Sequence, residues 1–142
     1  MARPPRIPMR LALDQEVIYF ITLCVAQRRS VLHTAIVFGS IHDFCVSHSQ
    51  WITHALVVMP DHIHALISPL NREAKVTQFS AGLKRAIKRK VGEEWQWQHG
   101  VFDRLLRRKE SAYQKWIYMR ENPVRAGWVK SWEQWPYFIN FH

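Results

Sequence analysis

Apolar residues recur along this chain with two periods, and the switches between them predict the order of elements. The run from Val17 to Val25 is apolar, β-branched and aromatic, which predicts a strand. Ile36, Ile41, Phe44 and Cys45 predict a helix within about Ala35–Gln50. Two further runs, Ile52–Met59 and His62–Ser68, flank Pro60-Asp61 and predict a β-hairpin. Val76, Phe79, Leu83 and Ile87 fall at three- and four-residue spacing, as on the buried stripe of a helix from about Lys75 to Val91. A short strand is predicted near Val101–Arg104. The segment from about Glu110 to Asn122 has few breakers and carries Tyr113, Trp116, Ile117 and Met119. It predicts a last helix, ending where Pro123 disfavours the helical state of the residue before it. Trp132 to His142 is rich in aromatic residues and is expected to pack back as an extended tail. The order β-α-β-β-α-β is that of a ferredoxin-like α+β sandwich.

Two places in this pattern carry chemistry. His62 and His64 alternate within the fourth apolar run, so on a strand they project side by side while Ile63 faces the other way. Their spacing lets two imidazoles grip one divalent ion, and it serves equally for packing or hydrogen bonding. On the last predicted helix, Tyr118 and Asn122 stand one turn apart on one face. That places a tyrosine and an amide together at a helix C-terminus. It also fits a core tyrosine followed by a capping asparagine.

Charge changes the picture towards a polyanionic partner. The 142 residues hold 20 Lys and Arg against 11 Asp and Glu, a net charge of +9, which favours binding to nucleic acid. Lys84, Arg85, Lys88 and Arg89 line the polar side of the helix predicted from about Lys75 to Val91. Arg104, Arg107, Arg108 and Lys109 form a second cluster just ahead of the tyrosine helix. Phosphate contacts from such clusters supply affinity but little sequence information. Trp95 and Trp97 alternate in a polar stretch and read as packing residues in preference to base-stacking ones.

The remaining features bound the class. The length predicts one domain, residues 1–142, with a basic flexible arm at 1–12 holding Arg3, Arg6 and Arg10 and a C-terminal tail at 130–142. No apolar run approaches the roughly 20 residues that span a bilayer, and no secretory cleavage pattern follows the early apolar stretch. Cys24 and Cys45 lack metal-type spacing and read as reduced, packed thiols. A cytoplasmic protein without a membrane partner is expected.

Taken together, His62-Ile-His64 after a Met-Pro turn and Tyr118 four residues before Asn122-Pro-Val-Arg-Ala-Gly127 resemble the single-tyrosine HUH transposases. The resemblance is closest to the REP-associated tyrosine transposase branch. Val17-Ile-Tyr-Phe-Ile-Thr22 is similar to that family's first strand, and Leu83-Lys-Arg85 and Gly100 to Leu106 to its middle segments. The resemblance implies an antiparallel sheet with helices on one face, the histidine pair on a central strand and the tyrosine on a helix packed nearby. It implies DNA cutting and strand transfer on single-stranded DNA, at the foot of hairpin-forming repeats. Tyr118 is then the nucleophile, joined to the 5′ side of the break. His62 and His64 are ligands of Mg²⁺ or Mn²⁺, and Asn122 is the third protein ligand, standing where many single-tyrosine transposases carry glutamine. Asp61 is the rival ligand and Tyr113 the rival nucleophile. The resemblance leaves a homodimer or a monomer open. The competing expectations are a domesticated, non-cleaving hairpin DNA-binding protein and a phosphodiesterase with water as nucleophile.

Overall fold

A computed structural model describes residues 17–47, 50–106 and 109–141. Five strands form one antiparallel sheet in the order β4-β1-β3-β2-β5: β1 is Ile18–Cys24, β2 Trp51–Val58, β3 His62–Pro69, β4 Phe102–Leu106 and β5 Phe138–Asn140. The helices are α1 (Ala35–Ser47), α2 (Val76–Val91) and α3 (Lys109–Arg125). Short 3₁₀ turns lie at Ala26–Arg28 and Trp132–Gln134. The α+β class, the antiparallel sheet and the predicted hairpin are all present; β2 and β3 pair across Pro60-Asp61, where the Met59 N–H donates to the His62 carbonyl at 2.8 Å.

The period-2 pattern divides the strands between two cores. Ile21, Leu23, Ile63, Ala65 and Ile67 point to one side, where they meet Val37, Ile41 and Cys45 of α1 and Phe79, Leu83 and Ile87 of α2. Ile18, Ala55, Val57 and Leu66 point to the other side and meet Ala112, Trp116 and Met119 of α3. In β2 the register shifts between Thr53 and Ala55, so His54 is the extra residue of a bulge. The insertion lets Trp51 and Leu56 serve the same core although their numbers differ in parity.

Four expectations are corrected. Helices on one face describes α1 and α2, while α3 covers the opposite face because Ala112, Trp116 and Met119 form their own apolar stripe. In α1, Val37 faces the core and Ile36 is exposed. The last helix does not stop at Asn122: Pro123 lies inside it. Proline removes one donor and crowds the carbonyl four residues earlier, yet the ladder resumes at once, with the Ala126 N–H donating to the Asn122 carbonyl at 3.0 Å. The helix ends at Gly127 (φ +85°), where Gly127 donates to Val124 and Trp128 to Pro123, the paired bonds of a Schellman cap. Finally, the C-terminal tail is not simply extended. It makes a 3₁₀ turn and then adds β5 to the edge of β2. The basic arm lies outside the described residues.

Candidate active site

His62 and His64 stand on β3, the middle strand of the sheet, on the face that α3 covers. Ile63 between them is fully buried on the other side. The two imidazole centroids are 4.7 Å apart. From α3, residues 115, 118, 122 and 125 form one stripe and residues 112, 116, 119 and 123 the next. The second stripe is buried, so the first lies along the edge of the same contact. This brings the Tyr118 ring to 5.7 Å from the His64 ring, and Asn122 Nδ2 to 3.5 Å from His62 Nε2. Thr22, Cys24, Arg28, His62, His64, Phe102, Tyr118 and Asn122 enclose an open cleft of about 360 Å³.

Each histidine is oriented through Nδ1. His62 Nδ1 lies 2.7 Å from Asp61 Oδ1, and Asp61 Oδ2 accepts a 2.9 Å hydrogen bond from Arg28 Nε. His64 Nδ1 lies 2.8 Å from Thr22 Oγ1, its neighbour across the β1–β3 ladder. The Phe20 ring stacks against His64 at 5.0 Å. Arg28 reaches Asp61 from a loop in which Gln27 (φ +59°) and Arg28 (φ +53°) both adopt the left-handed conformation. Non-glycine residues seldom adopt it, and each costs on the order of 1–3 kcal/mol.

Burial keeps both imidazoles neutral. It pushes His62 below the ordinary imidazole value, although Asp61 pulls the other way. It drives His64 down to about 3, helped by neighbouring His62, Lys115 and Arg125. Partial burial acts to raise the Asp61 carboxyl, but the bonds from His62 and Arg28 outweigh it and hold it below its usual range. A neutral imidazole that donates through Nδ1 presents a bare lone pair at Nε2, which is how metal-binding histidines are commonly oriented.

The donor set can be tested for a cation on this chemistry. Among the described residues no three His, Cys, Asp or Glu side chains gather as a metal cluster. The cleft offers two neutral imidazoles and the Asn122 amide, whose oxygen and nitrogen exchange places by a half-turn of the side chain. Three neutral donors with open positions suit a divalent ion that completes its shell with water or phosphate oxygen. Asp61, the rival ligand, is engaged with Arg28 and His62 instead. Tyr113, the rival nucleophile, stacks on Trp116 at 6.3 Å and does not line the cleft.

A protein of Haemophilus influenzae, provisionally named a REP-associated tyrosine transposase, is 28% identical to this chain, covering 88% of it and 80% of its own length. A REP-associated tyrosine transposase of Escherichia coli is 27% identical, covering 63% of this chain and 53% of its own length. The chain is a relative of the REP-associated tyrosine transposases. Its fold agrees. The solved structure of a REP-associated tyrosine transposase bound to a REP hairpin matches with a TM-score of 0.75, at 22% identity, over 97% of this chain and 82% of that one. A provisionally named transposase of Deinococcus radiodurans matches with a TM-score of 0.55, at 18% identity, over 74% of this chain and 91% of that one. No protein-family model matches the chain.

Of the basic residues expected to contact DNA, those described fall into three groups. Lys84 donates to the carbonyls of Gln98 and Gly100, and Lys88 to that of Trp95. Lys88 also sits 4.2 Å above the Trp95 ring. These two lysines tie α2 to the 95–100 segment, and Trp95 is buried in the core below them. Arg85 and Arg89 are exposed on α2, across the sheet from the histidines. Arg104 is exposed on β4 directly beside Phe20, on the histidine face. Arg107 and Arg108 lie outside the described residues. Sequence reasoning passed over Arg28, Lys115 and Arg125. Arg125 was in view within the Asn-Pro-Val-Arg-Ala-Gly signature. Its guanidinium lies 4.3 Å above the Tyr118 ring and donates to the Tyr118 carbonyl at 2.8 Å. Lys115 lies 4.9 Å from the Phe20 ring and 5.4 Å from the Tyr118 ring.

Proposed function

We propose that this chain cuts and rejoins single-stranded DNA through a covalent bond to Tyr118, and that its substrate is a hairpin-forming repeat. The observation that carries this reading is the convergence of His62 and His64 from β3 with Tyr118 and Asn122 from α3 in one cleft. The name of the Escherichia coli relative and the hairpin bound by the structural neighbour support it.

In the cutting step, Tyr118 Oη forms a bond to phosphorus as the bond from phosphorus to the 3′ oxygen breaks. The phenol gives up its proton to solvent, and the departing oxygen takes one up as a free 3′-hydroxyl. The 5′ phosphate stays on Tyr118. Rejoining is the reverse, with an incoming 3′-hydroxyl attacking the phosphotyrosine. One phosphodiester replaces another at each step, so no nucleotide hydrolysis is needed, and a covalent intermediate divides one hard step into two easier ones. Tyr118 is 43% exposed, which leaves its hydroxyl accessible to a strand in the cleft. Lys115 and Arg125 lie against its ring with their positive charge, and Arg28 lines the same cleft with its own charge paired to Asp61. These cations favour the phosphate and the negative charge that spreads over its oxygens during transfer. His62, His64 and Asn122 would hold Mg²⁺ or Mn²⁺, which when bound withdraws charge from the phosphate oxygens as a Lewis acid. All these side chains come from one chain, so a monomer suffices.

The test uses hairpin oligonucleotides labelled at either end, with Mg²⁺ or Mn²⁺, analysed on denaturing gels. A metal-dependent protein–DNA adduct is expected, absent in Tyr118→Phe and in His62→Ala. Cleavage without an adduct would replace Tyr118 by water as nucleophile. Binding with neither cleavage nor adduct would make the chain a non-cleaving hairpin-binding protein.

A further inference from the structure

The geometry points to Phe102 as the platform on which an unpaired base stacks beside the reacting phosphate. The inference rests on the single-stranded DNA reading and names how that strand is held. Phe102 opens β4, which among the described residues is an edge strand paired only with β1. It stands directly opposite Thr22, and Thr22 stands directly opposite His64. Residues opposed across a ladder share a face at close range, so Phe102, Thr22 and His64 form one row across the sheet. The row ends at the sheet's edge with a phenylalanine that is 60% exposed and lines the same cleft as Tyr118.

An exposed phenylalanine alone is ordinary; its setting is what argues for a ligand. Lys115 and Arg125 lie against the ring of Tyr118, which lines this cleft, and their positive charge suits a phosphate there. Two residues further along the strand and on the same face is Arg104, opposite Phe20. The edge of β4 thus presents an aromatic ring and then a guanidinium towards the site. A nucleotide strand repeats the same two groups, a flat base and a phosphate. Stacking is available to every base, because each has a π-face, so this contact holds the strand without reading its sequence.

The test compares two short, end-labelled chains of equal length, an oligothymidylate and a fully abasic phosphodiester, by fluorescence anisotropy without divalent ions. Without the ion there is no cutting, so the result does not depend on Tyr118 being a nucleophile. Phe102→Ala should weaken oligothymidylate binding by about tenfold, within the range known for base–aromatic stacking, and leave abasic binding nearly unchanged. Phe102→Leu keeps the apolar bulk and should show most of the same loss. Phe102→Trp should retain wild-type affinity. Equal losses on both chains, or no loss on either, would overturn the inference alone. Failure of the wild-type protein to bind either chain would overturn the DNA reading with it.

Discussion

The two faces of the sheet are built from the same strands and obey different rules. On the α1–α2 face, β1 and β3 contribute Ile21, Leu23, Ile63, Ala65 and Ile67, all buried in one apolar cluster. On the α3 face, the alternate positions are Thr22, His62 and His64 around the cleft, with Ile18 and Leu66 beyond it under Trp116. Because side chains alternate strictly, a strand fully committed to a core on one face stays free to carry polar chemistry on the other. The apolar face fixes the register. Once Ile63 is placed, His64 must fall opposite Thr22. The precision of the site is therefore set by packing on the far side of the sheet.

Neighbouring residues of opposite face should consequently fail in opposite ways. Ile63→Ala removes a fully buried side chain and should destabilise the fold by roughly 2–5 kcal/mol, while the folded fraction still forms adduct. His64→Ala should abolish the adduct, yet leave urea stability within about 2 kcal/mol, since it loses one hydrogen bond and some packing. Equal loss of stability in both variants would show that the two faces are not separable.

Cys45 extends the comparison to pH, on the apolar face alone. Burial pushes its thiol up to about 11, against a small opposing pull from Thr53. The unfolded chain ionises first, near the ordinary value of 9.0. The contribution to stability is therefore fully present below that value and is lost as pH rises towards about 11. The loss amounts to roughly 2–3 kcal/mol at one pKa unit per 1.36 kcal/mol. Urea unfolding of wild type and Cys45→Ala at about pH 8 and about pH 10 checks this. The stability gap between them should narrow at the higher pH, and a constant gap would contradict it.

What the sequence displayed and what it concealed follow the range of the interactions involved. Period-2 alternation put His62 and His64 side by side, and a four-residue spacing put Tyr118 and Asn122 on one helix face. Both are local regularities, legible without a fold. Their meeting in one cleft rests on the packing of Trp116 and Met119 against Ile18 and Leu66, and was reached only through family resemblance. Thr22 became a partner of His64 through a ladder 42 residues long in sequence separation. Lys84 and Lys88 look like a free basic face until the carbonyls of residues 95–100 close over them. Pro123 misled for a different reason. Its preference against a preceding helical residue is modest, and it was overridden by a Schellman cap that only Gly127, four residues on, completes. Arg28 was hidden most deeply, since its approach depends on two consecutive left-handed residues that no propensity anticipates.

The smallest expected effect bears on that hidden residue and asks whether the polar face is held as firmly as the apolar one. Asp61 links Arg28 to His62 Nδ1, so it fixes which nitrogen of His62 carries the proton and where the ring points. Asp61→Asn keeps an oxygen that can accept from Nδ1 but loses the charge that draws in Arg28. Asp61→Ala loses both. Residues that orient a metal-binding histidine typically contribute ten- to a hundredfold to affinity. Mn²⁺ binding followed by electron paramagnetic resonance should accordingly weaken by about tenfold in Asp61→Ala and by less in Asp61→Asn. Stability should change by no more than about 1 kcal/mol in either, because the Arg28 side chain is 55% exposed and its ion pair is screened by water. If Mn²⁺ affinity is unchanged in both variants, His62 is oriented without the Asp61 carboxylate, by its strand, by Asn122 and by Arg28 Nη2, which lies 3.3 Å from its Nδ1.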